Sequence, residues 1–269
     1  MTASSLNASC RNANTCRDES QFDRLQQMLG PHAVERLHGA KVAVAGLGAV
    51  GSYAVEALAR SGVGRFSLVD FDVVKPSNIN RQLFALWNTV GRSKTELARE
   101  RILAIWPRAQ VEIHNVLLNA ESLPDVLDSW SDADYVIDAI DSLGPKTTLI
   151  HELVTRKIPF ISCMGAALRT RPDLIRVGRL TEVEYCPLAA MLRKRLRRGG
   201  ISTDDVRCVF SPEPIREKYR DRIGPMESPD PDREHGRYRN ILGSLATITA
   251  LFGLTAAHEV IMAIALEKK

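Results

Sequence analysis

The residues best suited to chemistry lie between Gly46 and Asp141. Gly46, Gly48 and Gly51 spell G-x-G-x-x-G. The first glycine permits a tight turn, the second lets a phosphate reach the backbone, and the third lets a helix pack on a strand. A helix starting there offers unpaired N–H groups to an anion. Asp70, nineteen residues after Gly51, is placed to accept ribose hydroxyls. Glycines used only for close packing are the alternative. The polar run that follows decides which nucleotide fits. Asp70-Phe71-Asp72 leads to Ser77-Asn78-Ile79-Asn80-Arg81-Gln82 and then to Gly91-Arg92-Ser93-Lys94. A nicotinamide-dependent oxidoreductase has no use for an arginine and a lysine there, whereas a triphosphate being cleaved does, because charge grows on the departing pyrophosphate. Without that pattern Arg81 and Lys94 would read as a solvated loop and helix face. Asp138 and Asp141, in Tyr135-Val136-Ile137-Asp138-Ala139-Ile140-Asp141-Ser142, complete the set. Carboxylates just past a strand's C-terminal end sit at the crevice where open α/β sheets bind ligands; a helix cap is the bland reading.

These residues need a frame. Lys41–Ala45 reads as a buried strand and Val50–Arg60 as the helix after the glycines. Phe66–Asp70 is a second strand. Ser93–Ile105 has helical spacing, with Leu97, Ile102 and Ile105 on its apolar side and Pro107 beyond its end. Val111–Ile113, Tyr135–Asp138 and Pro159–Ser162 follow as strands, with Leu149–Thr155 in a helix. Strands alternating with helices predict an α/β fold: a doubly wound, Rossmann-like, mostly parallel sheet. Past residue 164 the alternation breaks into a C-terminal elaboration. Leu174–Val177 reads as a strand, Leu188–Leu196 as a helix, and Gly224–Asp232, with three prolines, as a loop.

At 269 residues, with 45% hydrophobic and 25% charged positions, the chain can build one sizeable core. Residues 1–20 are polar and are expected to be a disordered tail, leaving residues 21–269 as a single domain. Ile241–Leu266 is nearly all apolar, interrupted by His258 and Glu259. It is long enough for a membrane span, but Ser244, Thr247, Thr249 and Thr255 dilute it, so a terminal helix in a core or subunit interface is expected and stable membrane insertion is not. The net charge of +4 is too mild to mark a nucleic-acid binder by itself. It is concentrated, however: Met191–Arg222 holds ten Lys/Arg against five Asp/Glu. Arg193, Arg197 and Arg198 could meet RNA phosphates there, or the helix could simply be solvated. Cys10, Cys16, Cys163, Cys186 and Cys208 form no C-x-x-C pair, which disfavours a paired-cysteine zinc site and fits reduced thiols in the cytoplasm.

The D-x-D…N-x-x-R-Q…G-x-x-K run resembles the ThiF-like adenylating enzymes of the ubiquitin-activating-enzyme superfamily. That resemblance implies that Gly46, Gly48, Gly51, Asp70, Asp72, Asn78, Arg81, Lys94 and Asp141 bind ATP. Asp70 would hold the ribose, Asn78, Arg81 and Lys94 the phosphates, and Asp141 magnesium. It also implies a homodimer in which an N-terminal arginine reaches the neighbour's ATP. Arg24 takes that position, although Leu25 replaces the usual following glutamine, and a plain surface arginine is the alternative. Three further elements narrow the resemblance to the tRNA threonylcarbamoyladenosine dehydratases: Cys186-Pro187-Leu188-Ala189-Ala190-Met191-Leu192-Arg193-Lys194-Arg195-Leu196, then Arg207-Cys208-Val209-Phe210-Ser211-Pro212-Glu213, and Ile137–Pro145 with Lys146. The Pro-rich stretch at 224–237 and the long N-terminal tail depart from that family. The resemblance implies that Arg24, Arg81, Lys94 and Asp141 serve catalysis, that ATP, Mg2+ and tRNA are used, and that no enzyme nucleophile is required. It leaves a monovalent cation and a sulfur-transfer partner open. Adenylation of a ubiquitin-like sulfur carrier's C-terminal glycine is the alternative. Thioester roles for Cys163, Cys186 or Cys208 compete with buried, inert thiols.

Overall fold

The computed structural model describes residues 19–220, 224–226 and 240–266. The expected tail therefore lies almost wholly outside the described residues, as do Cys10 and Cys16. A 3-10 turn, Glu19–Phe22, leads into α1 (Asp23–Leu29) and α2 (Pro31–Gly39). Then come β1 (Lys41–Ala45), α3 (Gly51–Arg60), β2 (Arg65–Val69), α4 (Lys94–Ile105), β3 (Gln110–His114), α5 (Leu123–Ser129), β4 (Tyr135–Asp138), α6 (Leu143–Arg156) and β5 (Phe160–Cys163). The remainder holds β6 (Arg176–Arg179), α7 (Pro187–Arg198), β7 (Arg207–Phe210), α8 (Glu217–Arg220), β8 (Gly224–Met226), β9 (Asn240–Ile241) and α9 (Ala246–Leu266).

Among the described residues seven strands form one sheet in the order β3-β2-β1-β4-β5-β7-β6. All neighbours are parallel except β6, which runs antiparallel to β7 at the edge. The expected doubly wound sheet is thus present. Both its faces are covered, which is why β1 is nearly all apolar rather than alternating. Val42 and Val44 enter one core with α3 and α9, while Ala43 and Ala45 enter the other with α5, α6 and α7.

Two expectations about the elaboration need correction. The strand placed at Leu174–Val177 runs from Arg176 to Arg179, because Pro172–Leu174 forms a 3-10 turn first. The stretch beginning at Gly224 is not loop throughout: Gly224–Met226 pairs antiparallel with Asn240–Ile241. In a two-stranded ribbon both strands are edges, where a proline such as Pro225 is tolerated. Residues 227–239 lie outside the description.

The apolar C-terminal stretch is a core helix. α9 is long and apolar enough to cross a membrane, but more than half of its most apolar window is buried inside the fold. It crosses α3 so closely that a Cβ at Gly253 would lie 2.2 Å from the Val50 carbonyl oxygen. Arg36 donates to the carbonyls of Ile264 and Ala265, satisfying orphan acceptors at the end of α9. The longest apolar element therefore braces the N-terminus of α3, where the glycine loop ends.

Candidate functional site

The glycine loop lies between β1 and α3, at the C-terminal edge of the sheet. Gly46 has φ +89°, and a Cβ there would sit 2.9 Å from the Ala139 carbonyl oxygen, so the loop passes tightly beside the loop after β4. At Gly51 a Cβ would come 1.8 Å from the Gly46 oxygen. Gly48 differs, with nothing nearer its Cβ position than Gln82 Nε2 at 3.8 Å. Two of the three glycines are thus demanded by packing, and the middle one leaves room for a ligand.

Asp70, just past β2, closes the other side of this loop. Its carboxylate accepts the backbone N–H of Leu47 at 2.6 Å and of Asp72 at 2.9 Å. Burial pushes its pKa up, against the opposing pull of Lys94 and these N–H groups. Lys94 is the first residue of α4 and only 5% exposed, with its Nζ 3.0 Å from Asp72 Oδ2. Arg81 is half-buried and fixed by bonds of 2.8 Å from Nη1 to the Ser77 carbonyl and to Asn80 Oδ1. Asn78 Oδ1 accepts the Lys75 N–H at 3.0 Å, which shapes the turn carrying Arg81. Asn80 reaches the Ser244 carbonyl, tying this loop to the start of α9. Asp141 is exposed beyond β4 and accepts from Ser142 Oγ at 3.2 Å.

The fold therefore gathers the glycines, Asp70, Asp72, Asn78, Arg81, Lys94 and Asp141 onto loops at the ends of β1, β2 and β4. Arg24 is not gathered with them. It is exposed on α1, which packs against α2. The arrangement interleaves backbone N–H groups, two cations and carboxylates, with Lys94 against Asp72 and Asp70 against the glycine loop, the mix of donors and acceptors that a nucleotide's phosphates and ribose can use.

One group takes shape only in the fold. Beneath the Asp141 loop, Lys146 Nζ lies 2.6 Å from Asp138 Oδ2 and 3.0 Å from Ser162 Oγ, and Ser162 donates to the same Asp138 oxygen at 2.7 Å. Asp138 Oδ1 accepts the Ile140 N–H at 3.1 Å. All three side chains are wholly buried. Asp138 thus braces the loop, while Asp141 is exposed. The signal was present, since Lys146 shares a helical stripe with Leu149, Ile150 and Leu153, the apolar side of α6.

Cys163, Cys186 and Cys208 are buried. Burial pushes the thiols of Cys163 and Cys208 up to about 12, so neither supplies a thiolate at neutral pH. Inert thiols describe them better than thioester nucleophiles.

The ThiF family pattern matches residues 21–269. The tRNA threonylcarbamoyladenosine dehydratase of Bacillus subtilis is 41% identical over 77% of this chain and 82% of its own length. Crystal structures of the Escherichia coli tRNA N6-threonylcarbamoyladenosine dehydratase with AMP and with ATP superpose with TM-score 0.79 at 32% identity, covering 92% of this chain and 94% of theirs. The molybdopterin-synthase adenylyltransferase of Salmonella typhimurium is 36% identical over 135 residues, 50% of this chain and 52% of its own length.

Proposed function

The chain belongs to the ThiF family, and from that premise we propose that it is an ATP-dependent enzyme that dehydrates threonylcarbamoyladenosine beside the anticodon of tRNA. The observation that carries this reading is extent of likeness. The adenylyltransferase that acts for molybdopterin synthase matches about half of the chain, whereas dehydratases match nearly all of it. Dehydratases thus share with this chain a large part of its length that the adenylyltransferase does not.

The chemistry follows from the site. A carboxylate is a poor electrophile. Its oxygen attacks the α-phosphorus of ATP, the bond to the bridging oxygen breaks, and pyrophosphate leaves. Arg81 and Lys94 offset the charge that grows on that leaving group, and the glycine loop and the N-terminus of α3 hold the phosphate with backbone N–H groups. Lys94 has three N–H donors, so its contact with Asp72 leaves two to meet phosphate oxygens. Asp70 orients the nucleotide through the ribose. The neighbouring carbamoyl group then attacks the acyl carbon, loses a proton and expels AMP, which closes a ring and removes one water overall. Because the attack is intramolecular, proximity replaces an enzyme nucleophile, in keeping with the inert cysteines.

Magnesium fits this site as an ion carried with the nucleotide. Among the described residues no cluster of three or more His, Cys, Asp or Glu side chains forms a cage, but Mg2+ commonly takes one or two carboxylates plus phosphate oxygens. Asp141 would supply that carboxylate, and the ion would neutralise phosphate charge. A homodimer is supported by α1: Arg24 is exposed and Met28, one turn later, is 81% exposed. A partner covering that face would bring Arg24 to the neighbour's ATP. The substrate and the buried, reduced thiols are those of a cytoplasmic enzyme.

ATP–pyrophosphate exchange tests the reading. Exchange should depend on tRNA bearing threonylcarbamoyladenosine and ignore a ubiquitin-like carrier protein. Exchange driven by the carrier and indifferent to the tRNA would assign the chain to protein adenylation instead.

A further inference from the structure

A cleft of about 270 Å³ opens beside α7, lined by Tyr185, Cys186, Pro187, Ala190, Arg193 and Ile215. It adjoins the same edge of the sheet as the nucleotide loops. β1, β4, β5 and β7 are parallel neighbours, and the cleft draws on the segment after β7 through Ile215 and on Cys186, whose Sγ lies 3.4 Å from the Cβ position of Gly165 just beyond β5. Two strand spacings, about 10 Å, separate the ends of β4 and β7.

Three observations describe what the cleft is built to take. First, it carries an exposed aromatic in a costly conformation. Tyr185 is 58% exposed with φ +49°, left-handed backbone that a bulky residue seldom adopts. Arg169, 2% exposed, donates Nη2 to the Tyr185 carbonyl and so holds that turn. Its Nε and Nη1 are buried without an acceptor among the described residues. Second, the cations of α7 continue the cleft. By helical spacing Pro187, Ala190, Lys194, Arg197 and Arg198 share one side, opposite buried Ala189, Leu192 and Leu196. Lys194, Arg197 and Arg198 are exposed. Arg193 is not available in the way the sequence suggested, because its Nη1 donates to the carbonyls of Leu180 and Val183 at 3.0 and 2.7 Å. Third, the volume falls just under the ~300 Å³ at which pockets for whole small molecules begin, leaving room for one planar base.

We infer that this cleft and the Lys194–Arg198 row form the RNA-binding surface, with Tyr185 stacking on an unstacked base of the anticodon loop and the α7 cations meeting the adjoining phosphates. The inference rests on the tRNA-directed reading above. An aromatic platform beside a cationic track is the general solution for single-stranded nucleic acid.

The test is fluorescence anisotropy with end-labelled tRNA carrying threonylcarbamoyladenosine, titrated at several salt concentrations. Lys194→Glu with Arg198→Glu should weaken binding by at least tenfold and flatten the salt slope by roughly 0.7–0.9 for each lost phosphate contact. Arg99→Glu with Arg108→Glu makes the same charge change at exposed positions on and just after α4, toward the opposite edge of the sheet, and should bind like wild type. Tyr185→Ala should lose on the order of tenfold with the salt slope unchanged, and Tyr185→Phe should restore it, because stacking needs the ring and not the hydroxyl. Equal loss in the two charge-reversal variants, or a Tyr185→Phe as weak as Tyr185→Ala, overturns the assignment. If wild type itself binds no tRNA and a carrier protein drives its pyrophosphate exchange, the functional reading has failed. If wild type binds and the α7 variants do too, only this surface is wrong.

Discussion

Two carboxylate–lysine pairs stand at the ends of strands flanking β1, alike in chemistry and opposite in setting. After β2, Lys94 meets Asp72 at 3.0 Å, and the aspartate keeps 29% of its side chain exposed. After β4, Lys146 meets Asp138 at 2.6 Å, with both side chains sealed from solvent and a serine closing the group. A pair open on one side can turn its lysine toward an arriving phosphate without losing all solvation. A sealed pair cannot, because either charge left alone in the interior is strongly penalised. In the proposed reading, the exposure of the partner aspartate, more than residue type, separates the lysine that binds from the lysine that holds.

The sharpest way to break this comparison is to remove each lysine and watch which property falls. Lys146→Met leaves Asp138 without its counter-charge in a dry site, and the loss of folding stability should be about 3–5 kcal/mol. Adding Asp138→Asn should restore most of it, since a buried pair replaced as a unit is often near neutral. Urea unfolding of the two variants measures both numbers. A Lys146→Met protein as stable as wild type would show that the pair braces nothing.

Lys94→Ala should do the reverse. Stability should change little, because Asp72 regains water, while the rate of adenylation falls by on the order of 10²–10³, as for one lost electrostatic stabiliser. Arg81→Ala should match it. Pyrophosphate exchange on folded protein, judged by an unchanged urea midpoint, gives the comparison. Exchange at wild-type rate in both variants would remove these cations from the mechanism.

The pairs also differ in how readily the sequence discloses them. The glycines and Asp70 could be read because their partners lie on consecutive elements at fixed spacing. Arg81 and Lys94 needed the longer polar pattern, since a cation on a loop is otherwise ordinary. Lys146 stands out in the sequence only as part of the family pattern; its buried contacts with Asp138 and Ser162 are not legible there, because only the tertiary fold brings a serine from the next strand under a helix. α5 is not legible in the sequence because seven residues are too few to show a helical period. Gly224–Met226 reads as loop because a proline argues against a strand, and the argument fails on an edge.

Asp141 sharpens the comparison from the exposed side. Resting on the Asp138–Lys146 brace yet facing outward, it should affect rate rather than stability. Asp141→Ala should lower the maximal rate roughly tenfold to a hundredfold, less than Lys94→Ala, because it acts through the ion. The magnesium concentration needed for half-maximal rate should rise. A magnesium titration that overlays wild type would refute a metal role.

The smallest effect belongs to Asp70, which lies between the two extremes: buried, but paired with backbone N–H groups instead of a lysine. Ribose contacts are made in ground and transition states alike, so Asp70→Asn should weaken ATP binding rather than slow the chemical step. A neutral acceptor in place of a charged one makes that loss about fivefold to tenfold. The pH dependence carries a definite sign. Because burial raises the folded-state pKa above the ordinary aspartate value of about 3.9, the folded chain takes up this proton first as pH falls. The protonated form of Asp70 therefore adds to folding stability at low pH, and that contribution is lost as pH rises through the folded pKa. Its value as a ribose acceptor runs the other way and fades on acidification. Calorimetric ATP affinities measured from pH 7 downward should show the wild-type advantage over Asp70→Asn shrinking before the ordinary aspartate range is reached. The nucleotide's own titration cancels in that difference. An advantage that does not change as pH falls would show that the charge of Asp70 does not hold the ribose.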